Sequence, residues 1–252
     1  MSTSARATPS SEDLLAHAHE LIEAASGTGL TMRLLGGLAV YAVAESARRP
    51  PLSRTYRDVD VAVPSKQGSS ASRILVGLGF EPDKHFNALH GARRMIFQAP
   101  ESYSVDVLIG AFEMCHHLDI QGGFSHNPLT IAPADLLLTK LQIVRIEPKD
   151  LADAAALLLD LSPGSQAGSI ETGRFVAPLA EDWGFFHTVE INLGRLREFA
   201  AAMLTDSGST VVVERIRALE GAMEAAPKSI KWKLRARVGE RVSWYDEPEE
   251  ID

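Results

Sequence analysis

Arg57-Asp58-Val59-Asp60-Val61-Ala62-Val63-Pro64 alternates charged and apolar side chains and then stops at a proline. Side chains of a strand alternate between its two faces, so this stretch predicts a strand with Val59, Val61 and Val63 in the core. Asp58 and Asp60 then share the opposite face. Two carboxylates held so close repel each other, and a divalent cation between them relieves the repulsion; hard oxygen ligands on a rigid element suit Mg²⁺. Taken alone, Asp-x-Asp also describes the solvated face of an amphipathic strand. Upstream, however, Met32 to Leu35 form a short run that meets Gly36-Gly37, after which Leu38, Val40, Tyr41, Val43 and Ala44 recur as a helix. That order is strand, glycine turn, helix. Glycines permit close backbone approach, and a helix N-terminus offers N–H groups to a phosphate. A phosphate cradle followed by a metal-binding carboxylate pair points to nucleotide chemistry.

Outward from this centre, residues 1–11 are small and polar and are expected to be a disordered tail. Leu14, Leu15, Ala18, Leu21 and Ile22 predict a helix capped by Ser10 or Ser11 and stopped at Ser26-Gly27-Thr28-Gly29. Arg48-Arg49-Pro50-Pro51 breaks the next helix. Ser69 to Leu78 reads as helical. Arg93 to Gln98 and Ser104 to Ile109 read as strands of a hairpin, with Pro100-Glu101-Ser102 as its turn. Asp106 lies opposite Val105 and Val107 in the alternation and could add a third carboxylate from a neighbouring strand. Beyond Gly122-Gly123 helical spacing dominates: Ala134 to Ile146, Asp150 to Leu161, Leu179 to Leu204, Val211 to Ala225 and Ile230 to Val238. The expected class is α/β, a small mixed sheet flanked by helices in residues 1–127 followed by a helical domain in residues 128–252, divided near Asn127-Pro128.

With 25 Lys and Arg against 33 Asp and Glu over 252 residues, the net charge of −8 argues against a surface that grips nucleic acid over its whole extent. A local basic patch remains open: Lys228-Ser229-Ile230-Lys231-Trp232-Lys233-Leu234-Arg235-Ala236-Arg237 could contact RNA phosphates and stack a base, or form a solvated helix with Trp232 docked inward. Asp246-Glu247-Pro248-Glu249-Glu250 reads as a solvated tail. One cysteine, Cys115, allows no intramolecular disulfide. That usage fits a reducing compartment, and with no apolar run long enough for a bilayer and no secretory h-region at the start, a soluble cytoplasmic protein is expected. Cys115-His116-His117-Leu118-Asp119 and His126 are zinc-ligand types at a spacing that matches no usual finger or catalytic site. His116 and His117 are expected at the surface or lining a pocket. Of the adjacent Arg93 and Arg94, at most one can face a phosphate.

Leu34-Leu35-Gly36-Gly37-Leu38-Ala39-Val40 followed by Arg57-Asp58-Val59-Asp60-Val61 resembles the nucleotidyltransferase superfamily that includes DNA polymerase beta. Asp135-Leu136-Leu137-Leu138-Thr139-Lys140-Leu141, then Pro148-Lys149-Asp150-Leu151-Ala152-Asp153, is similar to the AbiEii-type abortive-infection and MenT-type toxins. The resemblance runs from Met32 to Leu159. It implies transfer of a nucleoside monophosphate from an NTP to an acceptor hydroxyl with Mg²⁺ as cofactor. Gly36 and Gly37 would hold the triphosphate, Asp58 and Asp60 would coordinate Mg²⁺, and Asp106 would be the third catalytic and metal-binding carboxylate. Lys140 would bind and neutralise phosphate, with Asp150 acting at or beside the site. An RNA or tRNA acceptor and an antitoxin partner go with the toxin-like segment; an aminoglycoside-type small molecule is the alternative acceptor. The chain departs from the family pattern at Gly37, where many members have serine, and in the long stretch before Asp58. Asp150 and Asp153 compete for one family position, and Lys140 also reads as an exposed helical lysine. These departures keep a third reading open, a non-catalytic module that binds nucleotide or a partner protein.

Overall fold

The computed structural model describes residues 9–100, 103–166 and 168–247. The expected tail up to residue 8, the turn residues Glu101 and Ser102, and the acidic end from Pro248 lie outside the described residues. Two compact units emerge, Met1–Ala42 with Thr55–Phe112 and Asp119–Ile131, and Val43–Arg54 with Glu113–Leu118 and Ala132–Asp252.

The first unit is a five-stranded mixed sheet with helices. Its strands are β1 (Arg33–Leu34), β2 (Asp58–Val63), β3 (Glu81–Pro82), β4 (Arg94–Gln98) and β5 (Ser104–Ile109), in the order β1-β2-β5-β4-β3. β2 and β5 run parallel at the centre, and β4 and β5 form the expected antiparallel pair. Val59, Val61, Val63, Val105 and Val107 are fully buried, because the period of two sends them all to the covered face. Helix α1 (Ser11–Gly27) packs on β2 and begins with a reciprocal capping box between Ser10 and Asp13. Ser10 and Ser11 therefore belong to a helix start, as the capping reading expected, and not to the tail. Its face of Leu14, Ala18, Leu21, Ile22 and Ala25 is buried. Helix α2 (Gly36–Val43) follows β1 directly, and α3 (Gly68–Gly77) falls within a residue of its predicted span.

Two elements here carry too little pattern to predict: β3 has two residues, and α4 (Lys84–His90) is a two-turn helix started by the Asp83 side chain accepting from the Phe86 N–H. The unit also extends past Asn127-Pro128. Leu34 N–H donates to the Leu129 carbonyl and Ile131 N–H to the Leu34 carbonyl, so residues 129–131 lie along the free edge of β1 and the division falls at Ile131–Ala132.

The second unit is helical: α5 (Pro133–Leu141), α6 (Pro148–Asp160), α7 (Thr172–Glu181), α8 (Trp183–Met203), α9 (Asp206–Ala225) and α10 (Ile230–Val238). The helix predicted over 179–204 is two helices. Asp182 breaks it with an extended backbone (φ −118°, ψ 113°) and caps α8 by accepting from the Phe185 N–H. The helix predicted from Ala134 to Ile146 ends at Leu141. Pro163–Gly164 and Ile170–Glu171 form a parallel pair two residues long, the strand the helical reading omitted. Residues 43–54 join this unit although their neighbours in sequence do not. Ser46 donates from both its N–H and its hydroxyl to the Asp160 carboxylate at the end of α6, at 2.7 Å each. No helix among the described residues is long and apolar enough to cross a membrane.

Candidate active site

The register of the first unit gathers the expected carboxylates. Asp60 lies directly beside Asp106, and Asp58 beside Ser104, across the parallel β2–β5 ladder. Neighbouring residues in register point to the same face, so Asp58, Asp60 and Asp106 share it while the valines between them are buried. Ser104 Oγ donates to Asp58 Oδ1 at 2.8 Å and fixes that side chain. Arg94, two residues before the Asp106 partner Ile96 on β4, donates from Nε to both Asp106 oxygens at 2.9 and 2.8 Å. Of the adjacent arginines, Arg94 is thus the one committed to this face. Its hydrogen bond to Asp106 raises the guanidinium pKa, against burial, and Asp60 adds to the effect.

Gly36 supplies the second half of the arrangement. Leu35 N–H donates to the Asp60 carbonyl at 3.0 Å, which draws the start of α2 against β2. Gly36 has φ +71°, and a Cβ at that position would fall 2.0 Å from Asp60 Oδ2. Only glycine supplies both the left-handed backbone and the space for the carboxylate. Gly37 is buried as the second residue of α2.

Hard oxygen donors on one rigid face fit Mg²⁺, which needs only one or two carboxylates when phosphate and water complete its shell. Asp58 and Asp60 are the pair that could hold it. Asp106, the expected third carboxylate, lies on the same face and is bonded by Arg94, and among the described residues no three His, Cys, Asp or Glu side chains are grouped closely enough to hold a metal by themselves. Beside Asp58 opens a cavity of about 620 Å³ lined by Thr55, Tyr56, Arg57, Gln98, Tyr103 and Ser104.

Lys140 and Asp150, the remaining predicted site residues, are in the second unit and are buried. Lys140 Nζ lies 3.2 Å from Asp150 Oδ1 and 2.9 Å from Asp153 Oδ2. Arg54 clasps Asp153 with two hydrogen bonds of 3.1 and 2.8 Å. The reading of Lys140 as an exposed helical lysine is therefore wrong. Burial alone would push its pKa down, but Asp153 and Asp150 together hold it above the ordinary value. Asp150 and Asp153, which competed for one role, share the same ammonium.

No protein-family model matches the chain, and no curated protein is significantly similar to it. Among solved structures, a lincosamide antibiotic adenylyltransferase, LnuA, in its lincomycin-bound form is similar over 58% of this chain and 95% of its own, with 17% identity and a TM-score of 0.41. An antigenic nucleotidyltransferase-like protein from Paracoccidioides brasiliensis is similar over 88% of this chain and 97% of its own, with 14% identity and a TM-score of 0.44.

The zinc-ligand types around Cys115 do not assemble. Cys115 is buried as a free thiol, and burial raises its pKa. His116 is buried as well, against the surface expectation. It stacks on Phe185 at 5.0 Å and bonds Thr188 Oγ1 at 2.8 Å, and burial lowers its pKa to about 4. His117 and His126 are exposed. Arg54 escaped the sequence reading altogether. It sits in an aperiodic loop, and its partner Asp153 is 99 residues away, so no local pattern announces it.

Proposed function

We propose that the protein is a Mg²⁺-dependent nucleotidyltransferase that moves a nucleoside monophosphate from an NTP to an acceptor hydroxyl. The observation that carries this reading is the shared face of Asp58, Asp60 and Asp106, with Gly36 making room beneath the Asp60 carboxylate. Asp58 and Asp60 would hold the metal, and the N–H groups at the start of α2, opened by Gly36 and Gly37, would receive the triphosphate. Bound Mg²⁺ supplies positive charge where phosphate oxygens gain negative charge during transfer.

The acceptor oxygen bonds to the α-phosphorus while the bond from that phosphorus to the pyrophosphate oxygen breaks. The hydroxyl proton would pass to a carboxylate, and this reading gives that role to Asp106, which Arg94 orients by donating from Nε to both of its oxygens. Arg94 thereby sets the orientation of the base. Lys140 and Asp150, buried and paired with each other, are given no step in this scheme.

Two acceptor classes are supported by different features. The toxin-like segment from Asp135 to Asp153 supports RNA or tRNA, with an antitoxin protein as a further partner. The cavity of about 620 Å³ beside Asp58 has the size of a small-molecule site and supports an aminoglycoside-like acceptor. The deciding experiment incubates the full chain with each α-labelled NTP and Mg²⁺ in the presence of total RNA or a pool of aminoglycosides, beside Asp58→Asn. Label on either acceptor that disappears in the variant is the expected result. Tight Mg²⁺–NTP binding without transfer to any acceptor would favour the non-catalytic nucleotide-binding module instead.

A further inference from the structure

Helix α10 has one face docked and one face bare. Inward, Trp232 meets the Phe186 ring edge-on at 5.4 Å, and the Arg235 guanidinium lies 4.8 Å over the Trp183 ring. Arg235 also donates to the Gly239, Val242 and Ser243 carbonyls. Outward, Ile230, Leu234 and Val238 are 78%, 55% and 40% exposed, and Val242 just beyond them 59%. Their spacing of four puts the three helical residues in one stripe. No residue of α10 is buried. Around the stripe stand Lys231, Lys233, Arg237 and Arg241, and none of these four side chains has an ion pair or hydrogen bond among the described residues. Leu234 and Val238 also edge a cavity of about 570 Å³ walled by Trp232, Trp244 and Tyr245.

An aliphatic stripe ringed by cations that pair with no described residue has a definite complement. We propose that α10 docks an acidic amphipathic helix of a partner protein. Apolar side chains spaced three and four apart on that helix would cover Ile230, Leu234 and Val238, and one bulky apolar side chain would enter the cavity as an anchor. Asp and Glu residues on its flanks would meet Lys231, Lys233, Arg237 and Arg241. A second copy of this chain is a poor occupant of the face, because it would set the same four cations against themselves. RNA is also a poor fit, since the indole that could stack a base is turned inward against Phe186 and the outer face offers aliphatic carbon.

The test is selection of displayed random 18-residue peptides on the immobilised full chain, with Leu234→Asp as the parallel target. Lys231, Lys233, Leu234 and Arg237 are all exposed, so an unchanged circular-dichroism spectrum and melting temperature certify each variant. The expected winners carry apolar residues at helical spacing and net negative charge, and lose at least about tenfold in affinity on Leu234→Asp. The triple variant Lys231→Glu, Lys233→Glu, Arg237→Glu is expected to reverse the preference toward the same peptides with Lys in place of Glu. Three results overturn the proposal: no peptide enriched above a blank surface, winners without common charge or spacing, or winners indifferent to Leu234→Asp. Poly(A) RNA or phosphatidylserine-containing vesicles binding the chain and losing it in the triple variant, with peptides inert, would overturn it in favour of those ligands.

Discussion

Two clusters of charge in this molecule use the same residue types to opposite ends. In the second unit, Arg54 and Lys140 face Asp150 and Asp153: two cations balance two anions, every group is at least half-buried, and each bonds another member. On the first unit's sheet, Asp58, Asp60 and Asp106 share one face, Arg94 bonds Asp106 there and Ser104 bonds Asp58, and Asp58 is exposed to solvent. A balanced buried cluster has satisfied its own electrostatics and has nothing left to offer a ligand. Carboxylates that share an open face repel one another, and a divalent cation between them relieves that repulsion. Charge balance and burial together, more than residue type, separate the framework from the candidate chemistry.

The comparison breaks most visibly at Lys140. Lys140→Met would leave two buried carboxylates with only Arg54, and removing one partner of such a cluster costs about 3–5 kcal/mol. Urea unfolding should show that loss. A variant of normal stability that has lost transfer activity would place Lys140 in the active site and collapse the distinction drawn above. Asp58→Asn probes the other side. Nucleotide transfer is expected to fall by about 10²- to 10³-fold, the scale on which loss of one electrostatic group acts in catalysis. Its unfolding free energy should stay within about 0.5 kcal/mol of the parent, because the exposed amide still accepts from Ser104 and one like charge is gone.

Most of the sheet was legible because it rests on period-two alternation. Asp58–Val63 and Ser104–Ile109 fall where the pattern puts them, and the face shared by the aspartates follows from the same rule. Register was not legible: that Asp60 meets Asp106 and not Ser104 depends on pairing across 46 residues, which no local spacing encodes. The break at Asp182 was missed because apolar spacing continues through it, while the cap that restarts α8 is one side chain accepting one N–H. The burial of Lys140 was hidden for a related reason. A lysine on a helix reads as exposed unless its partners are known, and those partners, Asp150 and Asp153, arrive from the next helix.

His116 extends the comparison to a single buried group. Burial holds its pKa at about 4, below the ordinary 6.5, so the folded chain keeps the ring neutral where the unfolded chain protonates it. The unfolded state then binds more protons between these values. Stability should fall as pH drops through that window, by up to about 3 kcal/mol. Denaturant unfolding at pH 7, 5.5 and 4 should show a shallower fall for His116→Gln than for the parent, the difference isolating this group from other titrations. An identical slope in both proteins would mean the ring is hydrated, and it would no longer belong with the buried, satisfied groups.

Gly36→Ala sharpens the account of the open face through the position of one side chain. A left-handed backbone at φ +71° costs a residue with a Cβ about 1–2 kcal/mol, whatever its surroundings. The added carbon would also stand 2.0 Å from Asp60 Oδ2, so the carboxylate must swing away from its place on the sheet. These two effects separate in a double-mutant cycle. In an Asp60→Ala background the steric conflict is absent and the backbone cost remains, so Gly36→Ala should be less destabilising there than in the parent. Equal cost in both backgrounds would mean that Gly36 serves the turn alone. Unequal cost, joined to a loss of Mg²⁺-dependent NTP binding in the single variant, would tie the glycine to the position of the carboxylate, which is the property that distinguishes this face from the buried cluster.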